Sequence, residues 1–82
     1  MMVTAFVMIN VGVGWLHKVY PRATYKEKLK ELAGVKEVYL ILGRYDLLVH
    51  LEAETMDEIF RIVDDEIRNI PGVQATETFI AY

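Results

Sequence analysis

Three segments of this chain are apolar at almost every position, and this feature most restricts how the chain can fold. They cover residues 3–10, 35–42 and 47–53. Each is rich in β-branched and aromatic residues and is bounded by turn-forming residues, the pattern of a β-strand. A sheet with one face in water alternates apolar and polar residues. Here Phe6 and Met8 oppose Val7 and Ile9 along one strand, so both faces of the predicted sheet need cover.

Two amphipathic helices and a fourth strand are predicted around these segments. The first helix covers 21–33 and stops at Gly34, a common helix-ending residue. The second begins at a capping box formed by Thr55 and Glu58 and stops at Pro71-Gly72. Its apolar stripe comprises Met56, Ile59, Phe60, Val63, Ile67 and Ile70. A last strand over 73–81 completes the order βαββαβ.

An internal repeat indicates how these elements are arranged. Leu32-Ala33-Gly34-Val35 and Ile70-Pro71-Gly72-Val73 both lead from a helix through Gly-Val into a strand, so the two halves repeat one βαβ unit. Right-handed crossovers then place both helices on one face of a four-stranded antiparallel sheet. The predicted class is α+β with a ferredoxin-like fold. A second subunit packed sheet against sheet is the simplest cover for the other face.

Composition limits the classes of function. The 82 residues suit one domain, 1–82, and without cysteine they form no disulfide and no thiolate metal site. A net charge of −3 argues against direct nucleic-acid binding. The apolar segment 1–15 lacks a basic flank and is too short to span a membrane. We therefore expect a cytoplasmic protein with neither a nucleic-acid nor a membrane partner.

Residues suited to catalysis or metal binding are scarce. The sequence has no cysteine nucleophile, no Gly-x-Ser-x-Gly elbow and no phosphate-binding glycine motif. His50 and His17 have no ligand-spaced partner, and an interface role suits them better than metal ligation, base catalysis or pH sensing. The run Asp64-Asp65-Glu66 lies on a helix, where consecutive side chains diverge. We predict no catalytic residue, no metal and no cofactor.

The turn Gly43-Arg44-Tyr45-Asp46 has the chemistry of a ligand site. It offers backbone N–H groups, a guanidinium, a phenol and a carboxylate within four residues. An amino acid has a carboxylate for the guanidinium or the amides and an ammonium for Asp46. An ordinary hairpin explains the same residues, because Gly43 supplies an unusual φ and Asp46 caps the turn. Local chemistry supports both interpretations equally.

The order of several short motifs resembles one protein family. These are Gly34-Val35, Tyr39, Gly43-Arg44-Tyr45-Asp46-Leu47, Pro71-Gly72-Val73 and Thr76-Glu77-Thr78. The chain resembles the effector-binding (RAM) domain of the Lrp/AsnC transcription regulators over nearly its whole length. That resemblance implies domains that pair through their sheets and dimers that associate into rings. It also implies small effectors, commonly amino acids, held between neighbouring dimers.

Carried over by position, the resemblance implies an effector site lined by Gly43, Arg44, Tyr45, Asp46, Thr76 and Thr78. The sequence departs from the family pattern in having no N-terminal helix-turn-helix, so we expect a stand-alone sensing domain that does not itself bind DNA. Its partners would be copies of itself and full-length Lrp/AsnC regulators. The connection 11–25 is longer than the family pattern and contains Pro21.

Two alternatives differ in class from this regulatory function. Dimeric α+β barrel enzymes, of the monooxygenase or isomerase type, share the expected fold, and fold alone does not decide function. Such an enzyme needs a cavity between sheet and helices, which Trp15, Tyr39 and His50 would have to line. The other alternative is an assembly partner that binds no ligand and acts by mixing with other regulators.

Overall fold

The computed structural model describes residues 2–12 and 21–82, in which both helices pack on one side of a four-stranded antiparallel sheet. The strands are β1 (Val3–Val11), β2 (Val35–Leu40), β3 (Leu47–Ala53) and β4 (Val73–Ala81). The helices are α1 (Arg22–Lys30) and α2 (Met56–Arg61), and a π-helical segment, Ile62–Ile67, continues α2. The strand order β2-β3-β1-β4 confirms the predicted ferredoxin-like fold.

The core lies between the helices and the sheet face that they cover. On central strand β1, side chains alternate between this face and the opposite one, and Ala5, Val7 and Ile9 are fully buried. Residues opposed in an antiparallel pair share a face, so Val49 joins Val7 in this layer. The helices contribute Tyr25, Leu29, Ile59, Ile62, Val63 and Ile67. This single cluster supplies most of the apolar burial.

The sheet face turned away from the helices is also largely apolar, and we call it the outer sheet face. Its members follow from the strand register, since Phe6 opposes both His50 and Phe79. Its apolar and aromatic side chains are Phe6, Met8, Tyr39, Leu48, His50 and Phe79. Tyr39 and Phe79 are each 50% exposed. The helices leave this face uncovered, as the period-two pattern predicted.

Several element boundaries differ from prediction by one to three residues, and β1 extends one residue further than predicted, to Val11. The first helix was predicted over 21–33 but ends at Lys30, because Leu32 N–H donates to the Leu29 carbonyl in a tighter turn. Strand β2 was predicted to reach residue 42 but ends at Leu40. Beyond Leu40 one more backbone hydrogen bond, from Ile41 N–H to the Asp46 carbonyl, precedes the turn toward β3. The predicted bounds of β3 and β4 are confirmed.

The apolar stripe of the second helix was predicted wrongly at two positions. Met56 and Phe60 are exposed, Phe60 at 46%, whereas Ile62 is buried in their place. The cause is the π-helical segment, in which Arg68 N–H donates to the Val63 carbonyl five residues earlier. Widening the turn by one residue brings Ile62 and Ile67 to the same face and rotates the buried stripe.

Gly72 is the tightest point of the entry into β4. Its φ of +95° lies in the left-handed region, and an added Cβ would overlap the Tyr25 hydroxyl. That hydroxyl donates a 2.6 Å hydrogen bond to the Pro71 carbonyl. The Gly72 carbonyl in turn accepts from Gly12 N–H at 3.1 Å. Glycine is therefore required both for the backbone angle and for the close approach of the ring.

We expect Gly72→Ala to destabilise the fold more than Gly43→Ala. Gly43 is the matched control, because its φ is also positive, at +142°, but nothing lies within 4 Å of an added Cβ. The backbone strain alone costs about 1–3 kcal/mol, and the overlap with Tyr25 adds roughly 1–3 kcal/mol at position 72. Urea unfolding of both variants measures the difference. Equal losses would show that Tyr25 moves aside without cost.

Candidate functional site

The turn between β2 and β3 is fixed to the end of β1 by backbone hydrogen bonds. Ile41 N–H donates to the Asp46 carbonyl at 2.9 Å, which closes the turn. Asp46 N–H donates to the Ile9 carbonyl at 2.9 Å. Gly43 takes a φ of +142°, which side chains disfavour. The predicted hairpin is thus present, and its connection lies over the end of the central strand.

The Asp46 carboxylate is used within the chain. Its Oδ2 accepts from Val11 N–H at 2.9 Å, and its Oδ1 lies 3.2 Å from Nη2 of Arg22. The Asp46 side chain is only 15% exposed, while Arg22 is 43% exposed. Val11 lies beyond the last residue pair of β1 and β3. The Asp46 carboxylate therefore takes the place of a strand carbonyl as the acceptor for the Val11 N–H. Asp46 holds the turn, β1 and the start of α1 together.

Arg44 and Tyr45 occupy the outer part of the turn. The Arg44 carbonyl accepts from the Asn10 side-chain amide at 2.9 Å, which fixes the backbone at this point. The Tyr45 hydroxyl donates to Oε1 of Glu77 on β4 at 2.7 Å. This bond, together with weaker partial desolvation, raises the pKa of the Tyr45 phenol, and the Arg44 charge opposes the rise. A cation and an anion therefore flank one phenol.

Thr76 and Thr78 lie on the other side of β4 from this cluster. They oppose Ile9 and Val7, whose side chains face the helices. Glu77, between the two threonines, opposes Met8 and so belongs to the outer sheet face. Of the six residues predicted for the site, the structure brings Arg44 and Tyr45 together, with Gly43 in the same turn. It places Asp46 beneath the turn and the two threonines across the sheet.

Three residues of this region were not among the predicted site residues. Glu77 was quoted only as part of a motif, although strict alternation along a strand already separates its side chain from those of Thr76 and Thr78. Asn10 and Arg22 contact the turn from 34 and 24 residues away along the chain. No local pattern marks such contacts.

The residues considered for catalysis lie elsewhere. His50 and Tyr39 belong to the outer sheet face, so neither lines a space between sheet and helices. Trp15 and His17 fall outside the described residues. Among the acidic run, Asp64 pairs with Arg68 at 3.6 Å and Glu66 pairs with Arg61 at 3.3 Å. Within 2–12 and 21–82, no group of three His, Asp or Glu side chains is placed to hold a metal ion.

An open cleft of about 560 Å³ lies at the opposite end of the sheet from the turn. Its acidic lining comprises Glu52, Glu54 and Glu58, beside the backbone of Gly34. Three carboxylates disfavour the carboxylate of an amino acid, so this cleft suits such a ligand less well than the turn.

No helix in the described parts of the chain has the length and apolar character needed to cross a membrane.

A family comparison and two relatives bear on this site. The model of the Lrp/AsnC ligand binding domain matches residues 4–82. An HTH-type transcriptional regulator of Pyrococcus horikoshii is 41% identical over 56 residues, which is 68% of this chain and 37% of the regulator. A homocitrate synthase of Sulfurisphaera tokodaii is 42% identical over 60 residues, 73% of this chain but 13% of that enzyme. The chain thus spans little more than a third of the first relative.

Solved structures share the whole fold. A hypothetical protein of Pyrococcus horikoshii superposes with a TM-score of 0.81 at 34% identity, covering 98% of this chain and 89% of that one. AsnC of E. coli gives 0.81 at 25% identity, covering 96% and 50%. A feast or famine regulatory protein of M. tuberculosis, complexed with L-methionine, gives 0.75 at 19% identity, covering 96% and 49%. At 19% identity, the M. tuberculosis protein shows only that the fold is similar.

We expect Asp46→Ala to lower stability clearly more than Arg22→Gln. The first variant leaves the Val11 N–H without its acceptor in a part-buried position, at a cost of about 1–3 kcal/mol. The second removes only the half-exposed partner of an ion pair, worth roughly 0–1 kcal/mol. Urea unfolding compares the two, and hydrogen exchange at the Val11 amide reports the lost bond directly. Equal stabilities, with an unchanged Val11 exchange rate, would contradict this role of Asp46.

Proposed function

The chain belongs to the Lrp/AsnC ligand-binding domain family, and from that premise we propose that it is an oligomeric amino-acid sensor. The proposed effector site is the turn 43–46 together with Glu77. The proposed output is effector-dependent assembly, with copies of itself and with full-length Lrp/AsnC regulators. The family model and the Pyrococcus horikoshii regulator support a regulatory function over an enzymatic one, because the homocitrate synthase match covers only 13% of that enzyme.

The observation that carries this proposal is the cluster of Arg44, Tyr45 and Glu77. An α-amino acid places a carboxylate and an ammonium at a fixed separation, so a receptor needs a cation and an anion on one surface. Arg44 lies close enough for its charge to act on the Tyr45 phenol, and that phenol is bonded to Glu77. We assign the effector carboxylate to Arg44 and the turn amides, and the ammonium to Glu77.

The remaining predicted site residues take supporting roles in this proposal. Asp46 positions the turn, because both carboxylate oxygens already have partners. Gly43 exposes backbone groups without a side chain in the way. Thr76 and Thr78 lie on the far side of the edge strand β4. Because their side chains point away from Arg44 and Glu77, their hydroxyls would contribute only if the effector extended around that edge, toward a neighbouring dimer of the proposed ring.

The outer sheet face supports a sheet-to-sheet homodimer. Tyr39 and Phe79 are large side chains half exposed on a face of other apolar residues. Apolar patches of this kind mark interaction surfaces. A two-fold axis lets the same face meet itself, which is the cover that the strand pattern requires. Association of such dimers would form the ring.

One observation favours the ligand-free assembly partner as a second candidate. The Asp46 carboxylate, the acceptor first considered for an ammonium, is satisfied inside the chain. An ordinary structural hairpin would also have its carboxylate bonded within the chain in this way. Binding measurements separate the two candidates, since only the sensor requires Arg44 and Glu77 to be charged.

We expect an amino acid to bind and Arg44→Gln or Glu77→Gln to weaken that binding by about tenfold or more, the value of one charged hydrogen bond. Calorimetry across the twenty standard amino acids, beginning with L-methionine, measures it. Glutamine at position 77 keeps an acceptor for Tyr45, so this change tests the charge. Arg68→Gln is the control, because Arg68 is 62% exposed beside Asp64. Absence of binding by all twenty would favour the ligand-free partner.

We expect Phe79→Asp to dissociate the sheet-to-sheet dimer and Phe60→Asp to leave it intact. The two phenylalanines are similarly exposed, at 50% and 46%, but Phe60 lies on α2, away from the outer sheet face. A buried carboxylate without a partner is strongly unfavourable in an interface. Sedimentation equilibrium should give a multiple of 9.5 kDa for the parent chain and a single chain for Phe79→Asp. Dissociation by Phe60→Asp alone would place the interface on the helices.

A further inference from the structure

We propose that sheet-to-sheet association takes up a proton at His50, so that the dimer tightens as the pH falls from 8 to 6. This inference rests on the dimer proposed above. His50 lies on the outer sheet face, stacked on Phe6 with ring centroids 5.0 Å apart and planes at 21°. Its Nε2 lies 3.2 Å from Oε2 of Glu52. Histidine is the side chain whose charge ordinarily changes between about pH 5 and 8.

The charged groups around His50 are mostly acidic. On β3 its neighbour on the same face is Glu52, and on β2 the residue directly opposite is Glu37. On β1 it faces Phe6, which does not titrate, and on β4 the same face carries Glu77. The cations are Lys36, 4.0 Å from Glu52, and Lys30, 3.4 Å from Glu37. Both lysines are about half exposed. Neutral His50 therefore leaves the face with an excess of carboxylates.

Association changes the free-energy cost of keeping Glu52 as a carboxylate. This carboxylate is 26% exposed and His50 is 30% exposed, so water still solvates both in one subunit. A second sheet packed over the face removes that water. Burying a carboxylate beside a neutral imidazole costs more than burying an ion pair, and the two-fold partner brings its own carboxylates. A proton on His50 turns its contact with Glu52 into an ion pair and reduces repulsion between the two faces.

Two groups near this face have pKa values shifted away from neutrality. A hydrogen bond from Val38 N–H, together with the Lys30 charge, lowers the pKa of Glu37. The bond to Glu77 raises the pKa of Tyr45. Carboxylates ordinarily titrate below about pH 5 and lysines above about pH 9. The chain has two histidines, at 17 and 50, so a response between pH 6 and 8 is assigned by substituting each of them.

The dimer dissociation constant, measured by sedimentation at constant ionic strength, should fall severalfold, roughly tenfold at most, from pH 8 to pH 6, because each dimer takes up protons at two His50 side chains. His50→Gln should abolish this dependence, and His17→Gln should preserve it. Glu52→Gln should abolish or reverse it, because the charged imidazole then lacks its carboxylate. If the parent dimer is too tight to dissociate, a Tyr39→Ala background weakens it for all comparisons.

The outcomes distinguish this inference from the proposal beneath it. A chain that is monomeric at every pH would overturn the sheet-to-sheet dimer and proton uptake together. A dimer whose dissociation constant is the same at pH 6 and 8 would overturn proton uptake alone. So would a pH dependence that survives His50→Gln, or one that is unchanged in Glu52→Gln.

Discussion

A sheet that is apolar on both faces can be covered by its own two helices on only one of them, and most features of this molecule follow from that constraint. The helices bury Val7 and Ile9 on the central strand and leave Phe6 and Met8 on the outer sheet face. The described elements form two layers, the helices and the sheet. Both the proposed dimer and the charges at its surface are consequences of this uncovered layer.

The same limit explains how the turn 43–46 is held. A two-layer domain has little interior in which to bury a loop, so the turn depends on hydrogen bonds to the sheet. Asp46 supplies them through both its backbone and its side chain. A residue that looks like a ligand clamp in the sequence therefore works first as a support. In the proposed site the charges offered to the effector are those of Arg44 and Glu77, which lie on the surface.

Much of the fold was predictable because its determinants are local. The Thr55 half of the capping box is present, with Glu58 N–H donating to the Thr55 hydroxyl at 3.1 Å, and β-branched and aromatic content located the apolar strands to within two residues. The errors arise where an effect is not local. The π-helical segment depends on how Ile62 and Ile67 fit the core, so periodicity placed Phe60 wrongly. The Tyr45–Glu77 contact joins residues 32 apart in the chain, which only the strand order brings together.

The strand order also makes the proposed effector site and the proposed dimer interface continuous. Glu77 opposes Met8 on the outer sheet face and at the same time accepts the Tyr45 hydroxyl from the turn. An ammonium bound at Glu77 would neutralise one of the carboxylates that two facing sheets bring together. Binding and association would then share a free-energy term, and linkage requires each to favour the other. A sensor of this kind needs no moving domain, because neutralising one surface charge is enough to change the stability of its assembly.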